Sequence, residues 1–111
     1  MIDWKPLTNL QELDEIVDRS KGVTCLIFKH STRCSISFMA KHRLEGQWNF
    51  DTTQLEPYYL DLIAYRNISN EIADRFQVYH ESPQILLIRN GECFHDASHL
   101  DISVEEIKEV L

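Results

Sequence analysis

The run Thr24-Cys25-Leu26-Ile27-Phe28 shows no alternation of polar and apolar residues. A strand with one wet face alternates with period two, so a continuous run of this kind marks a central strand covered on both sides. Covering layers on both faces restrict the chain to an α/β sandwich. The run continues through Lys29-His30-Ser31-Thr32-Arg33 to Cys34, and there the pattern changes to Ile36-x-x-Met39-Ala40-x-x-x-Leu44, a helical spacing. Cys34 therefore stands where a strand ends and a helix begins. Unpaired backbone N–H groups converge at such a corner and favour negative charge, which biases a thiol toward thiolate.

The remaining segments read as the scaffold of this corner. A short strand or arm is expected at Ile2-Asp3-Trp4, with Pro6 breaking the backbone. Thr8 or Asn9 can cap a first helix with Glu12 returning the bond, and Leu10, Leu13, Ile16 and Val17 mark its apolar face up to Gly22. The central strand is expected over Thr24 to Lys29, with Cys25 as a small core residue. The next helix runs from Cys34 to about Gln47, burying Ile36, Met39, Ala40 and Leu44 and turning Lys41, His42 and Arg43 toward solvent. Trp48 and Phe50 cover an edge of the core, and 51–57 reads as a loop before a strand at 58–63. Asn67 or Ser69 can cap a third helix with Ile68, Ile72, Ala73 and Phe76 inside. After Ser82-Pro83 come a strand Gln84 to Arg89, an Asn90-Gly91 hairpin turn, and a returning strand Glu92 to His95. Ser103, with Glu106 three residues on, caps a last helix that buries Val104, Ile107, Val110 and Leu111. Strands alternating with helices imply parallel pairing through crossovers, and the hairpin adds an antiparallel edge.

Charge and cysteine usage narrow the function. At 111 residues the chain is expected to form one domain, residues 1–111. A net charge of −7 argues against nucleic acid as a partner. All 18 acidic residues fall outside the stretch Lys29 to Arg43, which holds Lys29, Arg33, Lys41 and Arg43. No apolar stretch reaches the roughly 20 residues of a membrane span, and the N-terminus lacks a signal-peptide layout. The expectation is a cytoplasmic protein without a membrane partner. Cys25, Cys34 and Cys93 form no CxxC pair and have no metal-ligand spacing, so reduced thiols are expected rather than a disulfide framework or a zinc site.

A cysteine at a strand-to-helix corner, a later Ser-Pro before a strand and an Asn-Gly hairpin together resemble the thioredoxin superfamily. The fold this implies is a thioredoxin-like three-layer α/β sandwich, with a mixed central sheet, a C-terminal β-hairpin and a last helix. More narrowly, His30-Ser31-Thr32-Arg33-Cys34-Ser35-Ile36-Ser37 resembles the Thr-Cys-Pro-Ile-Ser segment of the monothiol bacilliredoxins, the YtxJ-type thioredoxin-like stress proteins. His80-Glu81-Ser82-Pro83-Gln84 and Ala97-Ser98-His99-Leu100-Asp101-Ile102-Ser103 resemble two further segments of that family. Two positions depart from it: Arg33 replaces the threonine before the cysteine, and Ser35 replaces the proline after it.

The resemblance implies that Cys34 is the nucleophile, attacking mixed disulfides between proteins and bacillithiol. Bacillithiol is then a cosubstrate rather than a tightly bound cofactor, and the partners are bacillithiolated proteins and a low-molecular-weight thiol. Arg33 would stabilise the thiolate, with His30 and Lys29 adding positive potential according to how the strand end turns. Ser35 keeps an N–H that could point at the sulfur. Ser37 stands where dithiol thioredoxins keep a second cysteine; a hydroxyl there can hydrogen-bond the thiolate but cannot close a disulfide, which limits the chain to a one-thiol cycle. Phe28 stands where dithiol relatives hold a buried aspartate. Pro83 is the candidate for a cis peptide, with Ser82 offering its backbone to an extended substrate. Cys93 is expected to pack in its strand, far from the corner. Two alternatives stay open: a glutathione-dependent monothiol glutaredoxin-like protein, and a non-catalytic thioredoxin-like binding module or stress adaptor.

Overall fold

In the computed structural model, which describes residues 2–111, five strands form one sheet in the order β1-β3-β2-β4-β5. The strands are β1 (Lys5–Pro6), β2 (Thr24–His30), β3 (Leu55–Asp61), β4 (Gln84–Arg89) and β5 (Glu92–Ser98). The helices are α1 (Leu10–Arg19), α2 (Ser35–Gln47), α3 (Arg66–Phe76) and α4 (Val104–Val110), with a 3₁₀ turn at His99–Asp101. No helix among the described residues is long and apolar enough to cross a membrane.

β2 is central and buried at all seven positions, as its uninterrupted pattern requires. Its side chains alternate between two cores. Leu26 and Phe28 pack with Ala40, Leu44, Val104 and Ile107 of α2 and α4. Cys25 and Ile27 pack with Leu13, Ile16, Ile68 and Ile72 of α1 and α3. The result is the three-layer sandwich expected. β1 and β2 run parallel to β3, while β4 runs antiparallel to both β2 and β5. The antiparallel part of the sheet is thus larger than one added edge. Asn90 and Gly91 both take positive φ, 53° and 78°, the backbone that a tight two-residue hairpin needs.

Local chemistry explains several element ends. Asn9 Oδ1 accepts the Glu12 N–H at 2.8 Å, and Glu12 Oε1 accepts the Thr8 N–H and hydroxyl at 2.8 Å each. Ser103 Oγ accepts the Glu106 N–H at 3.1 Å. α1 stops at Ser20, whose carbonyl and hydroxyl accept the Asn90 and Gly91 N–H groups and so tie the helix to the hairpin.

Several elements differ from the sequence expectation. β1 lies at Lys5–Pro6 rather than Ile2–Trp4; Pro6 is tolerated because β1 is an edge strand. Trp4 instead stacks on Phe28 at 5.5 Å and donates to Glu45 at 2.8 Å. β3 starts at Leu55, inside the expected loop, because Glu56 is buried against Arg19, Tyr58 and Lys5 rather than solvated. α3 begins after Tyr65, with no side-chain cap, and Asp61 Oδ1 organises the preceding turn by accepting the Ile63 and Ala64 N–H groups. β5 extends to Ser98. In α2 the buried residues are Ser37, Ala40 and Leu44, whereas Ile36 and Met39 face solvent. Lys41 and Arg43 are half-buried rather than free: Lys41 bonds Glu45, and Arg43 bonds the carbonyls of His99 and Ile102.

Candidate active site

The antiparallel pairing of β2 with β4 sets Lys29 opposite Gln84. The end of β2 and the start of β4 are therefore neighbours, which brings the Cys34 turn and Ser82–Pro83 to one end of the sheet. Within the turn, Ser31 Oγ accepts the Arg33 N–H at 3.3 Å, and the Ser31 carbonyl accepts the Cys34 N–H at 3.2 Å. Cys34 is extended (φ −122°, ψ 118°) and caps α2. Its carbonyl accepts the Ser37 and Phe38 N–H groups at 3.1 and 3.3 Å, and its side chain makes no cap bond. The Ser35 and Ile36 N–H groups lie ahead of the first intrahelical bonds, at the positive end of the helix. Cys34 is half-buried, and Arg33 and Ser35 flank it in solvent.

His30 and Ser37 lie beneath this rim rather than on it. Both are buried, and Ser37 Oγ sits 2.6 Å from His30 Nδ1 while accepting the Ser31 N–H at 3.1 Å. In either ring tautomer the hydroxyl is engaged by His30 and Ser31. Burial, then the nearby Lys41 charge, lowers the His30 pKa and keeps the ring neutral, so it adds no positive potential at the surface. Phe38 stands edge-on to His30 at 4.7 Å, with Phe28 and Tyr59 on other sides of the ring.

Lys29 also turns inward. It is fully buried on the α3 side, with Nζ 3.1 Å from the Ser69 carbonyl and 3.3 Å from His80 Nδ1. Burial pushes its pKa down to about 8. The sequence alone groups it with the cations around Cys34. Period two from Cys25 and Ile27 is the signal that would have put it on the α1–α3 face.

The Ser82–Pro83 peptide bond is cis. Pro83 is buried and its carbonyl accepts the His99 N–H at 3.0 Å. Ser82 Oγ is shielded and has no hydrogen-bond partner among the described residues. The other two thiols lie elsewhere. Cys25 is fully buried between the sheet and α1, and burial pushes its pKa up to about 12. Burial likewise pushes Cys93 up to about 11. Cys93 pairs with Ile88, and Ile88 with Cys25, four residues down β2 from Lys29. That is about 13 Å of strand away from the Cys34 end.

A protein-family model described as monothiol bacilliredoxin BrxC matches residues 5–107 of this chain. Among solved structures, a protein assigned as an oxidoreductase with a thioredoxin fold is 28% identical, with a TM-score of 0.78 over 94% of this chain and 89% of its own. The thioredoxin of Malassezia sympodialis superposes with a TM-score of 0.77 at 13% identity, over 99% of this chain and 89% of its own. Mitochondrial thioredoxin 3 of Saccharomyces cerevisiae gives 0.70 at 14% identity, over 96% and 92%. The last two establish the fold.

Proposed function

Because the chain belongs to the monothiol bacilliredoxin family, we propose that it removes bacillithiol from proteins by one-thiol exchange at Cys34. The Cys34 thiolate attacks the bacillithiol sulfur of a protein–bacillithiol disulfide, in line with the departing protein sulfur. A Cys34–bacillithiol bond forms, the original S–S bond breaks, and the protein leaves as a thiolate that takes a proton from solvent. A second low-molecular-weight thiol then attacks the bacillithiol sulfur of the adduct, releasing Cys34 and a low-molecular-weight disulfide. Each step exchanges one S–S bond for another.

The observation that carries this reading is the placement of the three thiols. Cys34 occupies the strand-to-helix corner, Cys25 is sealed in the core, and Cys93 lies at the other end of the sheet. In this account exposed Arg33 meets the carboxylates of bacillithiol, and Ser35 supplies an N–H at the helix start. Ser82 and Pro83 form the opposite wall for the protein segment. Ser37 and His30 act as positioning residues that fix the turn. A reducing cytoplasm would keep Cys34 available.

Intact-mass analysis after incubation with oxidised bacillithiol, and separately with oxidised glutathione, tests the proposal. One bacillithiol adduct on Cys34 and none from glutathione is the expected result. Adducts from glutathione alone would move the chain to glutathione chemistry, and adducts from neither would leave a binding module.

A further inference from the structure

The first turns of α2 are inverted relative to an ordinary surface helix. Ser37 points inward, while Ile36, Phe38 and Met39 are 45%, 51% and 56% exposed. A helix on a sheet normally turns its apolar stripe to the core. Three large apolar side chains grouped in water beside Cys34 mark a surface that another molecule covers. Phe38, Met39, His42 and Arg43 line an apolar recess of about 320 Å³ on this face. One wall is held in place, because the Phe38 ring packs on buried His30.

Charge identifies the occupant. Arg33 is exposed and Arg43 is half-buried. Among the described residues neither forms an ion pair, whereas neighbouring Lys41 is paired with Glu45 at 2.8 Å. Arg43 Nη2 bonds the His99 and Ile102 carbonyls at 3.4 and 3.3 Å, which holds its guanidinium at the recess without cancelling the charge. An apolar recess walled by Arg43, a guanidinium with no ion-pair partner among the described residues, in a chain of net charge −7, fits an apolar segment that carries a carboxylate.

We infer that the outer face of α2, formed by Ile36, Phe38, Met39, His42 and Arg43, docks the protein half of the mixed disulfide and prefers a cysteine flanked by apolar and acidic residues. The inference rests on the reading that Cys34 is the nucleophile, since the recess begins about one helical turn from that residue. An apolar side chain of the target enters the recess, its carboxylate lies against Arg43, and its mixed disulfide reaches Cys34. Specificity for protein targets then comes from α2, separately from recognition of the small thiol.

The test measures binding to the Cys34→Ser protein, which cannot react, by anisotropy of fluorescein-labelled peptides bearing a bacillithiol-capped cysteine. One peptide flanks the cysteine with leucine and aspartate, a second replaces the aspartates by lysine, and a third replaces the leucines by serine. The first is expected to bind at least about tenfold more tightly than the others. Met39→Glu, at a position more than half exposed and so compatible with folding, removes that preference, and Met39→Leu keeps it. Equal affinity for the three peptides, or an unchanged preference in Met39→Glu, overturns the docking surface. A parent protein that forms no Cys34 adduct overturns the reaction itself, so the two failures are told apart.

Discussion

Ser37 Oγ lies 2.6 Å from His30 Nδ1, joining the first turn of α2 to the last residue of β2. The same oxygen accepts the Ser31 N–H, so one buried hydroxyl holds both sides of the turn that presents Cys34. The position that would carry a second thiol in a dithiol relative is used here to fix the corner. In the proposed one-thiol cycle, the hydroxyl that stands in place of a second thiol is thus also the group that ties the corner together.

Replacing Ser37 by alanine leaves a buried N–H and a buried ring nitrogen without a partner. An unsatisfied buried group costs about 1–3 kcal/mol. Ser37→Ala is therefore expected to lower the urea midpoint by roughly 1 M. An unchanged midpoint would show that the hydroxyl does not anchor the turn.

Lys29 links stability to alkaline pH. Its folded pKa is pushed down to about 8 from 10.5, so between these values the unfolded chain holds a proton that the folded chain has lost. Raising pH across this window stabilises the fold, by up to about 3 kcal/mol, and below it the full cost of burying the charge is present. Cys25 and Cys93 act in the opposite direction, because their thiols are pushed upward. The quantity to measure is thus the difference between parent and Lys29→Met in urea unfolding from pH 7.5 to about 10.5. The parent gains on the variant as pH rises; a flat or falling difference contradicts the burial of Lys29.

The sheet register predicts no part for Cys93 in resolution. Disulfides need Cα atoms within about 7 Å, and Cys93 lies at the other end of β2 from Cys34. Cys93→Ser is expected to release bacillithiol from a test protein within about twofold of the parent rate, a difference of under half a kcal/mol. A tenfold loss would mean that β5 moves to the corner during turnover.

The sequence showed the parts of the fold that local chemistry decides. Both-sided burial of β2, the Asn90-Gly91 turn, the Ser103 cap and Cys34 at the strand-to-helix corner were all legible, because each depends on residues a few positions apart. The rotation of α2 was not. It follows the Ser37–His30 bond, the packing of Phe38 on His30 and the Trp4–Glu45 hydrogen bond, whose members lie in separate parts of the chain. Glu56 read as a loop residue because its partner Arg19 lies 37 positions away. Lys29 read as a surface cation because a lysine ending an apolar run usually is one; the Ser69 carbonyl and His80 that receive it belong to other elements. Long-range polar partners were the signal that local patterns lacked.

Release of bacillithiol from a bacillithiolated test protein, compared between the parent and Cys34→Ser, probes the central claim most directly. The account predicts turnover by the parent, a transient Cys34–bacillithiol adduct by mass, and loss of both in Cys34→Ser. Equal release by the two proteins would contradict it.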